Sequence, residues 1–518
     1  MRADPSGTAP ALERFPLNPL VLSLSKDCPA SGAAREMQSG PSTGSGRTGE
    51  GYISQVQIVW LRRDLRLKDQ PALHAAAEAG PVIPVYILDD ERAGDRALGG
   101  AHRWWLHHSL EDLAKTYGRR NAKIVLRRGD SVSVLQGIAQ ETGAAAIHAN
   151  RHYEPWHREA EEDLHDALKD SECELVLQDG NYLLPPGTAT TGSGDPYKIY
   201  TPFMKAVKDL LPPRDELPAP ETISQPSSLP ESDELADWDL LPTKPDWAGG
   251  LRDFWTVGED AAHERLDWWA DEVGKYDDGR NLPSKDETSK MSPHLHWGEI
   301  SPVTIWHRLK DKRSDGWQTY EKELIWRDYA QNVIYQFPKY PEESYRDYDE
   351  QVLWRNPNRG HLIEEDLEAW QRGRTGYPIV DAGMRQLWQT GWMHNRVRMI
   401  AASFLIKHLL IDWRHGERWF WDTLVDGDYA SNGTNWQWVS GTGVDSNMFP
   451  RIMAPLSQSE KFDAAGYIRE YVPELADLDD AQIHDPDDEH RPDDYPAKLI
   501  GHKEARERAL QAYRDSKG

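Results

Sequence analysis

Val56-Gln57-Ile58-Val59-Trp60-Leu61 runs directly into Arg62-Arg63-Asp64-Leu65-Arg66, and that junction decides the fold class. A short apolar run bounded by charge reads as a strand buried on both faces, as in parallel sheets. The pattern then repeats with helices between. A helix is predicted over Pro71 to Ala79, a strand over Val82 to Leu88, a helix over His102 to Tyr117 and a strand over Lys123 to Leu126. A further helix leads to a strand over Ala145 to Ala149. Strands alternating with helices predict βαβ units, and right-handed crossovers make them a doubly wound parallel sheet. No Gly-x-Gly-x-x-Gly follows the first strand, so a dinucleotide site in this half has no support.

On either side of this α/β region, 53–185, the composition changes. Residues 1–52 are rich in Gly, Ser, Pro and Ala without sustained periodicity, and a disordered N-terminal extension is expected there. Residues 186–252 contain Leu211-Pro212-Pro213 and Pro218-Ala219-Pro220 and read as an interdomain linker. Helical periodicity dominates 253–518. The predicted architecture is an N-terminal doubly wound parallel-sheet domain linked to a C-terminal all-α domain.

At 518 residues the chain is too long for one ordinary core. No apolar run approaches the roughly 20 residues that span a bilayer. Cys28 and Cys173 are far apart and in no metal-ligand spacing; they suit a reducing, cytoplasmic setting and no metal site is expected. Nothing suggests a coiled coil or an obligate interface, so a monomer is expected. The net charge of −26 argues against a nucleic-acid partner if taken alone. Acidic residues cluster, however, in Glu231 to Asp239 and Glu474 to Asp494, and local charge decides phosphate binding. The 22 Trp, against eight Phe, make either a large aromatic core or indoles that stack on bases or carry electrons.

The chemistry concentrates in the C-terminal half. Asn395, Arg398 and Met399 fall at i, i+3 and i+4, and Glu323, Trp326 and Arg327 repeat that spacing. On helices, each set shares a face. Together they offer a carboxyl, an amide, a thioether and an indole to one cavity. Singly, each is more often a core Trp, a surface Glu or a space-filling Met.

Gly376-Tyr377-Pro378-Ile379-Val380-Asp381 through Gly391-Trp392-Met393-His394-Asn395-Arg396-Val397-Arg398-Met399 resembles the photolyase/cryptochrome family. The likeness extends through Asp426-Gly427-Asp428, Trp436-Gln437-Trp438 and the opening Trp60 to Arg66, and is greatest to the DNA photolyases that repair cyclobutane pyrimidine dimers (CPDs). The resemblance implies FAD as cofactor, UV-damaged DNA as substrate and a light-driven lyase activity. It places Glu323, Asn395, Met399, Trp326 and Trp438 at the lesion. Tyr276, Arg280, Thr288, Ser289, Lys290, Met291, Ser292, Trp326, Asn395, Arg398, Asp426, Asp428 and Asn432 fall on the flavin, with Asn432 beside its N5. Trp326, Arg327, Arg396, Arg451 and Gln458 fall on the DNA. Trp436, Trp413 and Trp354 match a chain of tryptophans that carries electrons in from the surface.

Departures from the family pattern qualify these expectations. His394 is followed by Asn395 and not by the second His of enzymes acting on (6-4) photoproducts, which favours cyclobutane dimers. Trp156-His157 stand where folate-binding members have Asn-Glu, so the folate antenna pattern is not matched. Met448-Phe449-Pro450-Arg451 and Met453-Ala454-Pro455 differ from the family near the expected DNA face. The rival reading is a cryptochrome-like blue-light photoreceptor with little or no repair.

Overall fold

Five strands form where the N-terminal half is most apolar: β1 (Gln57–Leu61), β2 (Val82–Leu88), β3 (Val125–Arg128), β4 (Ala146–Asn150) and β5 (Glu174–Gln178). The computed structural model describes residues 55–356, 360–446 and 449–517; the expectations for 1–52 and for Met448 lie outside the described residues. All strand pairs are parallel, in the order β3-β2-β1-β4-β5. β1 and β2 are buried throughout, as an apolar run without alternation requires. β3 begins two residues later than expected, because Asn121 turns left-handed at φ 59° and the chain enters the sheet only where Val125 meets Val85.

The strand order reverses between β1 and β4, so the crevice of the sheet opens where β1 ends in Arg62 to Arg66. Arg66 is 1% exposed and all its hydrogen bonds go to neutral oxygens. Nε and Nη2 donate to Asp69 O at 3.0 and 2.9 Å, Nη2 to Gly180 O at 2.8 Å, and Nη1 to Gly298 O at 3.0 Å and Asn181 Oδ1 at 3.2 Å. This ties the turn after β1 to the exit of β5 and to the helical half. Gly298, at φ +67°, is the point of closest approach: a Cβ there would lie 2.3 Å from Arg63 O.

Residues 186–252 are more than a tether. They contain the helix Tyr200–Leu210, whose Tyr200, Phe203 and Val207 are buried at helical spacing. The later part lies along the sheet, with Val82 N donating to Ser224 O and Asp233 N to Leu126 O. The Pro-rich composition concealed both features, because prolines suit an extended strap as well as a loose linker.

Beyond this segment the chain is helical. Asp315–Gln336 packs on Tyr429–Ser440, and Asn395–Ser403 packs on the same helix. Trp370, Trp413, Phe420 and Trp436 belong to the core of this half. Among the described residues no helix is long and apolar enough to cross a membrane.

Arg66→Met should destabilise the protein by about 3–5 kcal/mol, because it leaves several buried oxygens without donors at about 1–3 kcal/mol each. Arg66→Lys should recover little, since one ammonium cannot replace the planar fork. Chemical denaturation of the three proteins measures both.

Candidate active site

The helix Asn395–Ser403 starts at His394, whose Nδ1 accepts from Arg396 N at 3.2 Å. Val397, Ile400 and Ala401 turn to the core. Asn395 is exposed and Arg398 and Met399 are half-buried, so the expected face is the uncovered one. Arg398 Nη2 donates to both oxygens of Asp426, at 3.0 and 2.9 Å, and Ser292 Oγ donates to Asp426 Oδ2 at 2.6 Å. One carboxylate thereby joins the 288–292 turn, the Asn395 helix and the Asp426-Gly427-Asp428 loop.

The turn is held from behind. Arg265, absent from the sequence expectations, donates to Ser289 O at 2.7 Å and Thr288 O at 3.1 Å. Ser289 Oγ accepts from Tyr320 Oη at 3.1 Å, and Lys290 sits at φ 52°. Met291 is a core residue and Tyr276 packs edge-on against Trp269 and Tyr320. Their side chains support the wall from inside.

Glu323 pairs with Arg280 at 2.6 Å. Burial pushes its carboxyl above the usual range and Arg280 opposes that. Arg396 donates from Nε and Nη2 to Asn281 Oδ1, at 3.1 and 2.5 Å. His394 is pushed down to about 3, first by burial and then by Arg396, Arg398, Arg280 and Lys290, of which Arg280, Lys290 and Arg398 also meet Glu323, Asp286 and Asp426. A chain of strongly negative net charge has therefore gathered four cations around one point.

Trp326 stacks on Tyr200 with ring centroids 3.4 Å apart and planes 5° from parallel, which leaves one face for a guest. Tyr200 was hidden in the segment read as linker. Trp438 is half-buried beside the helical core. Arg327 donates to Asn181 O at 2.5 Å and Leu295 O at 3.2 Å and lies over the Tyr182 ring. Arg451 is exposed, and Gln458 lies half-buried on the helix Pro455–Lys461.

Asp428 caps the helix Tyr429–Ser440 through Ser431 N at 2.7 Å and accepts from Gln331 Nε2 at 3.2 Å. Asn432, one turn on, donates to Glu417. Trp436 packs on Gly416, where a Cβ would meet its ring at 2.1 Å, with Phe420 and Trp370 as ring neighbours at 5.1 and 6.3 Å. Trp413 Nε1 donates to Ser344 Oγ at 3.2 Å. Trp354 is buried beneath Phe449, which stacks on Tyr513.

A second cavity, of about 80 Å³, lies at the ends of β1 and β2, lined by Arg62, Arg63, Trp156, His157 and His296 among others. That is room for a few waters and far less than a drug-sized ligand fills. Nearby, His152, Glu154 and His157 have metal-ligand proximity. Asn181 Oδ1 takes Arg66, so its Nδ2 donates to His152 Nε2 at 3.2 Å and leaves Nδ1 protonated toward Glu154.

The main site suits FAD. Its cations Arg280, Lys290 and Arg398 complement a diphosphate, and Asn432 keeps an amide oxygen that takes no protein donor among the described residues. Two family models match: "DNA photolyase" over residues 57–221 and "FAD binding domain of DNA photolyase" over 320–515. The deoxyribodipyrimidine photo-lyase of Agrobacterium fabrum is 46% identical over 475 residues, covering 88% of this chain and 97% of that protein. The crystal structure of a bacterial class III photolyase from Agrobacterium tumefaciens superposes with a TM-score of 0.86 at 44% identity, over 90% of this chain and 99% of that one. A cryptochrome from Synechocystis gives 0.80 at 28% identity, over 89% and 100%. With the parallel sheet, the helical half and the site residues in place, the chain belongs to the photolyase/cryptochrome family and is most like its DNA photolyases.

Proposed function

We propose that this chain repairs cyclobutane pyrimidine dimers in DNA under blue light, with FAD held between the 276–292 segment and the helices beginning at Asn395 and Tyr429. The observation that carries the reading is the pair Glu323–Arg280 at 2.6 Å, with Arg280 acting on His394 alongside Arg396, Arg398 and Lys290, an acid and a group of cations in one region. When bound, FAD supplies light absorption and the single electron that opens the cyclobutane ring. Arg280, Lys290 and Arg398 balance the diphosphate, and Asp426 keeps Arg398 in place. Photolyases are among the enzymes that take their target bases out of the stack. The free face of Trp326 and the indole of Trp438 then offer flat apolar surfaces to the extruded pair, with Met399 filling between them.

Glu323 donates a hydrogen bond to a pyrimidine carbonyl. Burial favours the neutral, donating form of its carboxyl, and a diphosphate draws Arg280 away from it. Asn395 contacts the dimer from the opposite helix. Arg396, Arg451 and Gln458 hold the strand backbone; Arg327 does not join them. Trp436, Trp413 and Trp354 relay electrons that keep the flavin reduced.

The test is restoration of thymine absorbance from a thymine dimer, in single-stranded and duplex DNA, by photoreduced protein. Restoration in blue light and not in darkness supports the reading. No repair by a protein loaded with FAD favours the photoreceptor alternative, to which the likeness to the Synechocystis cryptochrome points.

Glu323→Ala should lower the repair rate per bound flavin by about ten- to a hundredfold, the worth of one charge-assisted hydrogen bond, with flavin content unchanged; Glu323→Gln should retain more. Flavin loss with normal turnover per holoenzyme would reject the role. In DNA titrations, Trp438→Ala should weaken dimer-containing over intact strands by about 1–3 kcal/mol. Arg396→Ala should weaken both alike and reduce the salt dependence by about one phosphate contact.

A further inference from the structure

Arg96 ends the short turn of helix that follows β2, Gly94–Arg96, yet its guanidinium lies in the helical half. It is 3% exposed, and its Nη1 is 2.8 Å from both carboxylate oxygens of Glu417, itself 1% exposed. Nε reaches Glu342 Oε1 at 3.3 Å and Nη2 donates to Pro341 O at 3.2 Å. Glu417 Oε1 in turn accepts from Asn432 Nδ2 at 2.9 Å, and the second amide hydrogen goes to Glu417 O at 3.0 Å.

An ionised carboxylate and a backbone carbonyl only accept, so the nitrogen of the Asn432 amide must face them. Its oxygen is the group left for a guest. A neutral Glu417 would weaken that constraint to the backbone carbonyl alone, since a carboxylic acid can donate to the amide oxygen and favour the turned amide. Burial drives Glu417 toward the neutral form and the Arg96 charge opposes it. Arg418, the other cation in range, is turned away to Asp95 O at 2.6 Å.

We propose that Arg96 is a positioning residue: by keeping Glu417 ionised it holds Asn432 with its carbonyl oxygen toward the flavin. This rests on the reading above that Asn432 faces bound FAD. A reduced flavin carries a ring N–H where an oxidised flavin has a lone pair. A carbonyl oxygen is a partner for the first and repels the second, so Arg96, from the sheet half, biases the site toward the reduced cofactor.

The experiment follows the neutral flavin radical, by its long-wavelength absorbance, during anaerobic photoreduction of the FAD-loaded proteins. Arg96→Gln should lower the radical accumulated at steady light by about tenfold, one charge-assisted hydrogen bond, at equal flavin content. Arg96→Lys should restore most of it by restoring the charge. If Arg96→Gln fails to fold, the double variant Arg96→Gln with Glu417→Gln leaves no buried charge unpaired and should show the same loss. Asn432→Leu separates the two readings. If it abolishes the radical while the Arg96 variants accumulate it normally, Asn432 faces the flavin and the role of Arg96 is overturned. If Asn432→Leu accumulates it normally, the placement of Asn432 falls and the proposal falls with it. If Arg96→Lys behaves as Arg96→Gln, packing and not charge is responsible, and the proposal is again overturned.

Discussion

A guanidinium cannot lie dry without partners, and Arg66 lies dry at the end of β1. Its donors end on oxygens of Asp69, Gly180, Asn181 and Gly298, so three distant stretches of chain must arrive together or leave it unpaired. Asp64, two residues earlier, accepts from Arg62 N, Gln70 Nε2 and Asn150 Nδ2 and fastens β4 to the same turn. The gain from such burial is small against an apolar alternative, while breaking it is costly; it specifies one arrangement more than it stabilises it. Gly298 closely follows the helix Ser292–His296, and that helix follows the 288–292 turn. The charge that closes the sheet domain thus also sets where the 288–292 turn stands.

Arg96 repeats this logic at β2. Its partner Glu417 lies 321 residues away, and the pair is as buried as Arg66. Two arginines of the sheet half therefore reach into the helical half, Arg66 meeting Gly298 and Arg96 meeting Glu417. Their different partners explain their different consequences. Neutral carbonyls fix geometry alone, whereas a carboxylate also has a protonation state that a neighbouring charge can hold.

The alternation of apolar strands with helices made the sheet legible, because a strand covered on both faces has no other pattern to show. The face carrying Asn395, Arg398 and Met399 was legible for a similar reason, since helical spacing survives whatever packs behind it. Tyr200 was not legible: its stretch is short and lies among prolines and serines, and only its contact with Trp326 gives it meaning. The spacing of Glu323 and Arg327 does not say what each side chain reaches, and the bonds of Arg327 to Asn181 O and Leu295 O are visible only in the structure. Arg265, Arg96 and Glu417 act on backbone or on each other across long sequence separations, and no local pattern marks such contacts.

A net charge of −26 and a polyanionic substrate are compatible once distance is considered. Exposed charges farther away than the Debye length, about 8 Å at physiological salt, are largely screened, whereas half-buried ones are screened much less. The cations around His394 are of the second kind, and the carboxylates near Asp480 and Asp488 are exposed. Under the proposed function, the chain repels DNA weakly at range and attracts phosphate only on contact. A field of that reach adds little affinity for a duplex that cannot enter the opening. It adds most where a distorted site lets a dinucleotide leave the stack, so the acidic exterior and the basic opening act together to favour damaged over intact DNA.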